Sequence, residues 1–313
     1  MSNLNYTSQN TTGLTNIIFP AWLEKTFLEP LRANLLFDQY GKKASLKKGQ
    51  GSLLRWNRPT DLTVSTTALT EGETPDGSAL AYSKVEATVA QYGRYIAIPD
   101  LVQIYAISEP LKDAAEILSF DARSLMDVLV RNEIDTNGTA QYADEQANAA
   151  AVEASAAAIL DAEELRIAAF NLKYANVPTF EDDMYMGLIN PSGEYDLLSE
   201  TASGTAAEAS KYTTMKVVDK GTVGALYGIK LRRTTQVRVD GANTHTFKNL
   251  VFGKDAFGIV NLDGMGLQMI AKPLGAGDDP LNQRSTVGYK LAYVAKTLQA
   301  SRIRVVYAYG RIS

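Results

Sequence analysis

The sequence predicts an α+β fold built around one long helix, and three observations carry that reading. Apolar residues Leu111, Ala115, Leu118, Ala122, Leu125 and Leu129 recur at steps of three and four, the spacing of one helix face. Two runs of alternating apolar and polar residues bracket a Gly/Pro tip, "TALTEGETPDGSALAYS" at 67–83, which reads as a long hairpin. From residue 182 onward, short strand-like runs separated by turn residues dominate.

Taken in order, residues 1–45 read as an arm. A polar start gives way to Trp22, Leu23, Phe27, Leu31, Leu35 and Leu36 at near-helical spacing, interrupted by Pro30. Such a segment has little core of its own and must pack on something else. Residues 50–58 form the first hairpin strand, with Leu54 and Trp56 on one face, and residues 82–92 the second, with Val85, Ala87 and Val89 opposite Lys84, Glu86 and Thr88. An isolated two-stranded ribbon is marginal in water, so this one is expected to lie against a partner surface. The long helix opens at Ser108-Glu109-Pro110, a cap followed by a proline tolerated in the first turn, and stops at Asn137-Gly138. The alanine-rich stretch 141–160 fits either helix or loop. Asp161 and Glu164 make a capping box for a short helix carrying Leu165, Ala168, Ala169 and Leu172, ended by Pro178. Strands are expected at 184–189, 227–239, 246–252 and 256–262. A closing element spans 287–299, and in the final strand Ile303, Val305, Tyr307 and Tyr309 alternate with Arg302, Arg304, Val306 and Ala308.

Composition narrows the chemistry. The 313 residues are 45% hydrophobic and 21% charged, enough to bury a core, in two domains or one elaborated one. The absence of cysteine excludes a disulfide framework, thiolate metal sites and thiol nucleophiles. His245 is the single histidine, so a Ser-His-Asp triad would have to use it, and a multi-histidine metal site is excluded. No signal peptide or transmembrane helix is expected. Gly264-Met265-Gly266 lacks the third glycine of a nucleotide-binding turn. The acid pairs Asp182-Asp183 and Asp278-Asp279 would suit hydrolysis or a divalent cation, but read first as turn residues. His245 is expected exposed beside a turn-rich loop. The basic pairs Arg232-Arg233 and Arg302/Arg304 lack the aromatic partners of a nucleic-acid surface. Nothing converges on a catalytic site, and no cofactor or metal is implied.

Charge is segregated along the chain. Residues 1–60 carry 8 bases and 3 acids, residues 61–200 carry 7 and 25, and residues 201–313 carry 16 and 7. Either these are solvated faces that mix within the fold, or oppositely charged regions meet between copies of the chain. Residues 61–80 hold Asp61, Glu71, Glu73 and Asp76 and no base.

The order of arm, long hairpin, long helix, small helix, β-rich region and closing strand resembles the major capsid proteins of tailed bacteriophages with the Hong Kong 97 fold. "ALTEGETP" (68–75) is similar to the tip of that family's extended loop, and "SEPLKDAAEILSFDARSLMDVLVRNEID" (108–135) to its spine helix. "GLINPSGEYDLL" (187–198) resembles the crossing from the peripheral to the axial domain, "KGTVGALYGIKL" (220–231) and "NLVFGKDAFGIV" (249–260) axial-domain strands, and "DPLNQRSTVGYKLAYVAKTL" (279–298) the closing segment. The resemblance implies an arm at 1–45, an extended loop at 46–98, a peripheral domain at 99–185 with its spine helix at 108–136, a β-rich axial domain at 186–284, and a return to the peripheral domain at 285–313. It implies a structural protein, not an enzyme, forming hexamers and pentamers of an icosahedral shell around double-stranded DNA, in the virion after assembly in the host cytoplasm. Portal and scaffolding proteins are the implied partners, without a membrane, and scaffolding would lie in another protein. The loop tip, with Glu71, Glu73, Pro75 and Asp76, would contact a neighbouring subunit. Lys84 reads as a strand-surface lysine rather than a cross-linking one. Two alternatives stay open: an encapsulin-like compartment with enzyme cargo, and a carboxylate-based hydrolase using the 182–183 or 278–279 pair.

Overall fold

The structure is a computed structural model that describes residues 36–47, 49, 51–69, 71, 72, 74, 76–105, 110–180, 182–199, 218, 219, 222–240, 243–263, 266–274 and 281–311. The arm up to residue 35, Glu73, Pro75, the Ser108-Glu109 cap, Gly264 and the 278–279 acids lie outside these residues.

In chain order the strands and helices are β1 (Lys42–Leu46), β2 (Leu53–Pro59), β3 (Tyr82–Thr88), β4 (Ala90–Pro99), α1 (Asp100–Tyr105), α2 (Pro110–Asn137), β5 (Thr139–Tyr142), α3 (Ala149–Ala154), α4 (Ala162–Tyr174), β6 (Tyr185–Ile189) and α5 (Pro191–Ser199). The second half adds β7 (Val218–Asp219), β8 (Thr222–Val223), β9 (Ala225–Leu226), β10 (Ile229–Arg233), β11 (Val239–Asp240), β12 (Asn243–Phe252), β13 (Phe257–Leu262), β14 (Gln268–Lys272), β15 (Arg284–Thr297) and β16 (Ile303–Tyr309).

β15 organises the first sheet. One of its edges pairs along ten residues with β4, from Arg284↔Pro99 to Tyr293↔Ala90. Its other edge pairs with β13 and then β14, and β1 adds in parallel outside β13. Side chains alternate across a strand, so Val287, Tyr289, Leu291, Tyr293 and Ala295 share one face. That face takes α2 through Leu118, Ala122, Val130 and Ile134. Asp121 on α2 ties both strands down, accepting from Arg94 Nη1 at 3.0 Å and Tyr289 Oη at 2.7 Å.

The second sheet runs β5-β16-β12-β6-β10-β9, with β11 beside β12. β9 and β10 close a two-residue hairpin at Tyr227-Gly228, with φ of 51° and 82°; this is the type I′ geometry that matches strand twist and favours glycine second. One face packs under α4 through Leu165, Ala168, Ala169 and Leu172. The other face, through Leu188, Leu250, Phe252, Ile303 and Val305, joins the core under α2. The sheet is thus buried on both sides where the two cores meet, and all five residues of β6 are buried.

Several sequence expectations shift. The helix at 108–136 is seen as Pro110–Asn137. Its buried stripe is Ala114, Leu118, Ala122, Val130 and Ile134; Leu125 and Leu129 flank it half-buried, and Leu111 is 37% exposed. The strand expected over 227–239 breaks after Arg233, because Thr234 turns the chain and Gln236 N–H bonds its hydroxyl at 3.1 Å. Stretch 141–160 is part strand and part helix. In β16, Val306 and Ala308 are buried like Ile303 and Val305, because a second core lies behind them. The capping box is half formed. Asp161 accepts from Glu164 N–H at 2.8 Å, but the Glu164 carboxylate turns inward to Asp144 N–H and Gln141 Nε2.

Leu118 is 1% exposed and central to the α2 core. Leu118→Ala is expected to cost about 2–5 kcal/mol, the range for a fully buried leucine, and half-buried Leu125→Ala clearly less; thermal melts of the two variants side by side check the ranking, and equal shifts would contradict the observed stripe.

Candidate assembly surface

The hairpin forms as expected, but its root is not free. β2 and β3 pair from Leu53↔Thr88 to Pro59↔Tyr82, and Thr60 N–H extends the ladder to Ala81 O at 2.9 Å. Leu54, Trp56, Ala87 and Val89 of the root pack with Leu46, Val260, Leu262 and Val294, on the sheet face opposite α2. Gly258 makes room: a Cβ there would lie 2.8 Å from Trp56 Cζ2. The ribbon therefore lies first against its own chain, where the sequence suggested only a partner surface. Nothing in the spacing of β2 marks Trp56 as the clamp. The one signal was a bulky aromatic in a short strand with a glycine in a distant one.

Beyond the root, residues 61–80 carry no strand pairing among the described positions. Leu62, Val64, Leu69, Leu80 and Tyr82 are exposed, Val64 at 85%. Exposed large apolar side chains also occur on the body, at Ile104, Tyr105, Phe170 and Tyr174 among others; those of the loop extend a ribbon whose root is already packed. Glu71 and Asp76 are exposed as well, Glu71 in a turn with Gly72 at φ 87°. Asp61, Glu71 and Asp76 form no ion pair among the described residues.

Part of the remaining charge segregation resolves inside the chain. Acids of 61–200 pair with bases of 201–313 at Asp182–Lys230 (2.8 Å), Glu194–Arg233 (3.3 Å), Asp135–Arg238 (3.4 Å), Glu133–Lys296 (3.1 Å) and Asp196–Arg311 (3.8 Å). Of the two readings of the charge pattern, mixing within the fold accounts for these, and the loop tip is left over.

The chain's entry into the fold is a second anchor, which the sequence reading missed. Asp127 on α2 is 1% exposed, and its Oδ1 accepts from Phe37 N–H at 2.7 Å and Asp38 N–H at 3.2 Å. Asp38 in turn accepts from Tyr293 Oη at 2.6 Å. Burial pushes the Asp127 carboxyl up to about 6, against the lowering effect of the two N–H donors. Its signal in the sequence was a lone acid inside the apolar run "LMDVLV".

The candidate chemistry is used structurally. Asp182 is held by Lys230, which lowers its pKa, while Asp183 takes a left-handed turn at φ 58° and accepts from Thr179 Oγ1. The two carboxylates thus have separate partners. His245 lies near the start of β12 and is half-buried rather than exposed as expected, its ring 5.6 Å from Tyr309 and its backbone N–H on Glu153. Arg302 donates to Lys254 O, and Arg304 is partly buried in β16. Among the described residues no group of three His, Cys, Asp or Glu side chains is placed to hold a metal.

No protein-family model matches the sequence, and no curated protein matches it. Solved structures do. The chain is similar to the capsid structure of the cyanophage P-SCSP1u, with a TM-score of 0.70 at 16% identity over 95% of this chain and 94% of that one. It is similar to the capsid of cyanophage Pam1, with a TM-score of 0.69 at 15% identity over 96% and 98%. The capsid of Ralstonia phage GP4 gives 0.68 at 13% identity over 94% and 96%. The fold is that of phage capsid subunits. It is the Hong Kong 97-like α+β fold that the order of sequence elements resembled, over nearly the whole chain.

Two outcomes are expected from the anchors. Gly258→Val should push Trp56 off the sheet and loosen the ribbon root, seen as a red shift in tryptophan emission relative to the unsubstituted chain, with Gly258→Ala between the two; identical spectra for the Val variant and the unsubstituted chain would mean that Trp56 does not rest there. Asp127 titrates higher in the folded chain than unfolded, so the folded state holds the extra proton between about pH 4 and 6, and stability falls as pH rises through that window. Asp127→Asn keeps the acceptor and removes the charge, so it should flatten the difference between melts at pH 5 and pH 7, whereas Asp127→Ala should destabilise at both by about 1–3 kcal/mol.

Proposed function

We propose that this chain is the structural subunit of a phage head, assembling through hexamers and pentamers into an icosahedral shell around double-stranded DNA. The observation that carries the reading is the extended loop: a rooted ribbon whose outer part exposes Leu62, Val64, Leu69 and Leu80 beside Asp61, Glu71 and Asp76, which form no ion pair among the described residues, on a fold shared with capsid subunits. Such a surface has a use when it lies on another copy, and the role requires no catalysis. In this reading residues 1–45 are an arm, 46–98 the loop, 99–185 and 285–313 the peripheral domain around α2, and 186–284 the axial domain. Glu71, Glu73, Pro75 and Asp76 form the contact tip, facing Lys or Arg of a neighbour. Portal and scaffolding proteins are further partners, and the location is the virion, assembled in the host cytoplasm. No described helix is long and apolar enough to cross a membrane.

Electron microscopy and the mass of the purified species test the assignment. Capsomers or closed shells support it, and a monodisperse monomer overturns it; enzyme cargo in place of DNA would point to a compartment. Within shells, replacing Glu71, Glu73 and Asp76 by Gln, Gln and Asn is expected to change stability at low salt and to converge with the parent near 1 M, where the Debye length is about 3 Å. Each exposed pair is worth only about 0–1 kcal/mol, but the contact repeats at every subunit. Equal stability at all salt concentrations would leave the acidic tip a solubility feature.

A further inference from the structure

Four pairs of an aspartate or asparagine followed by glycine occur in the sequence, at Asp76-Gly77, Asn137-Gly138, Asp240-Gly241 and Asp263-Gly264. Glycine bears no Cβ, so its amide nitrogen meets little hindrance in attacking Cγ of the residue before it and closing a five-membered succinimide. Ring closure requires that nitrogen to swing round until it eclipses Cβ. The fold decides which pair is free to do so.

Intrinsic chemistry favours Asn137-Gly138, because a side-chain amide has a leaving group and an ionised carboxylate has none. The structure opposes it. Asn137 ends α2, and helical ψ, near about −42°, holds the next nitrogen away from Cγ. Gly138 N–H donates to Ile134 O at 2.9 Å, and Asn137 Nδ2 donates to Glu133 O at 3.0 Å. A Cβ on Gly138 would lie 2.6 Å from Val305 Cγ2 and 2.8 Å from Ile303 Cγ2, so its peptide has no room to turn. Asp240 is engaged by Lys248 at 3.0 Å where β11 pairs with β12. Asp263 is tied through its own N–H to Leu46 O at 2.8 Å.

Asp76-Gly77 is the reverse case. Both residues are exposed, and neither forms a hydrogen bond or ion pair among the described residues. A Cβ built on Gly77 meets nothing within 4 Å, so the peptide turns freely. We propose that Asp76 is a site of spontaneous succinimide formation and conversion to isoaspartate, and that the fold silences Asn137. The peptide nitrogen of Gly77 bonds to Asp76 Cγ. The Cγ–hydroxyl bond of the protonated carboxyl breaks, and the hydroxyl leaves with the amide proton as water. A second water then opens the ring. Attack at the former backbone carbonyl leaves the chain running through Cβ, with the carboxyl on Cα. Nothing is oxidised or reduced, and the product keeps its mass while its main chain gains one atom at the tip. The inference stands apart from the shell assignment, because the chemistry belongs to the free chain.

The intact protein is incubated at neutral pH in oxygen-18 water, digested in ordinary water, and mapped by mass spectrometry with electron-transfer fragmentation, which distinguishes the β-linked residue. The peptide carrying Asp76 should gain the heavy oxygen and the β-linked form. Gly77→Ala, which the open site accommodates, should suppress both. Asp76→Asn puts the same dipeptide in both settings. Its deamidation at 76 should run at least about tenfold ahead of that at 137, the ratio that about 1.4 kcal/mol of extra barrier imposes. In urea the two positions should converge, because the protection at 137 comes from the fold. Absence of label at 76, label confined to the peptide carrying Asp263, or equal rates at 76 and 137 in the folded Asp76→Asn variant would each overturn the proposal.

Discussion

Burial of one sheet on both of its faces is the constraint on which the rest of the molecule depends. β6, β12 and β16 are covered by α4 on one side and share the core of α2 and β15 on the other. With both faces buried, a one-residue slip in register would exchange the side chains of two cores at once. The hydrogen-bonded registers of β12 with β16 and β6 therefore fix the position of everything attached to them. Helix α2 and its five-stranded sheet cannot shift against the α4 side without opening packed interior, which is close-packed and resists such motion.

Acidic side chains fix the long-range crossings. Asp127 holds the chain's entry across 90 positions, Glu153 accepts from His245 N–H and Thr246 Oγ1 across 92 and 93, and Glu133 accepts from Thr297 N–H across 164. Glu164 does the same for the turn at Asp144. Much of the acid surplus in the middle of the chain is thus internal fastening, each carboxylate exchanging water for backbone donors or a basic partner. Asp61, Glu71 and Asp76 of the loop form no ion pair among the described residues.

The fold was legible in sequence where one face of an element is buried and the other solvated. The ribbon alternation at Val85, Ala87 and Val89, and the short-helix stripe at Leu165, Ala168, Ala169 and Leu172, are of this kind, and both formed as read. Legibility failed where burial is two-sided or apolar residues circle the element. On α2, Leu111 and Ala115 compete with Ala114 and Leu118 for the core, and spacing alone does not choose between adjacent stripes. In β16 the residues opposite Ile303 and Val305 are also apolar, and only the tertiary arrangement supplies a second core to receive them. The loop was legible as an exposed tip without chemistry. Its clamp, Trp56 on Gly258, was not, because it joins residues about two hundred positions apart that share no pattern.

That clamp also sets the mechanics of the loop. Residues 61–80 allow ten residues to a side, an outreach of up to roughly 33 Å beyond the ribbon. The ribbon's hold on the body is a small group of side chains centred on one indole over one glycine. A long beam on a short bearing converts a slight tilt at the support into a large sweep at its end: about 10° of rotation moves a point 33 Å away by roughly 6 Å. The body can stay rigid while the far end changes its angle, without any repacking of the core.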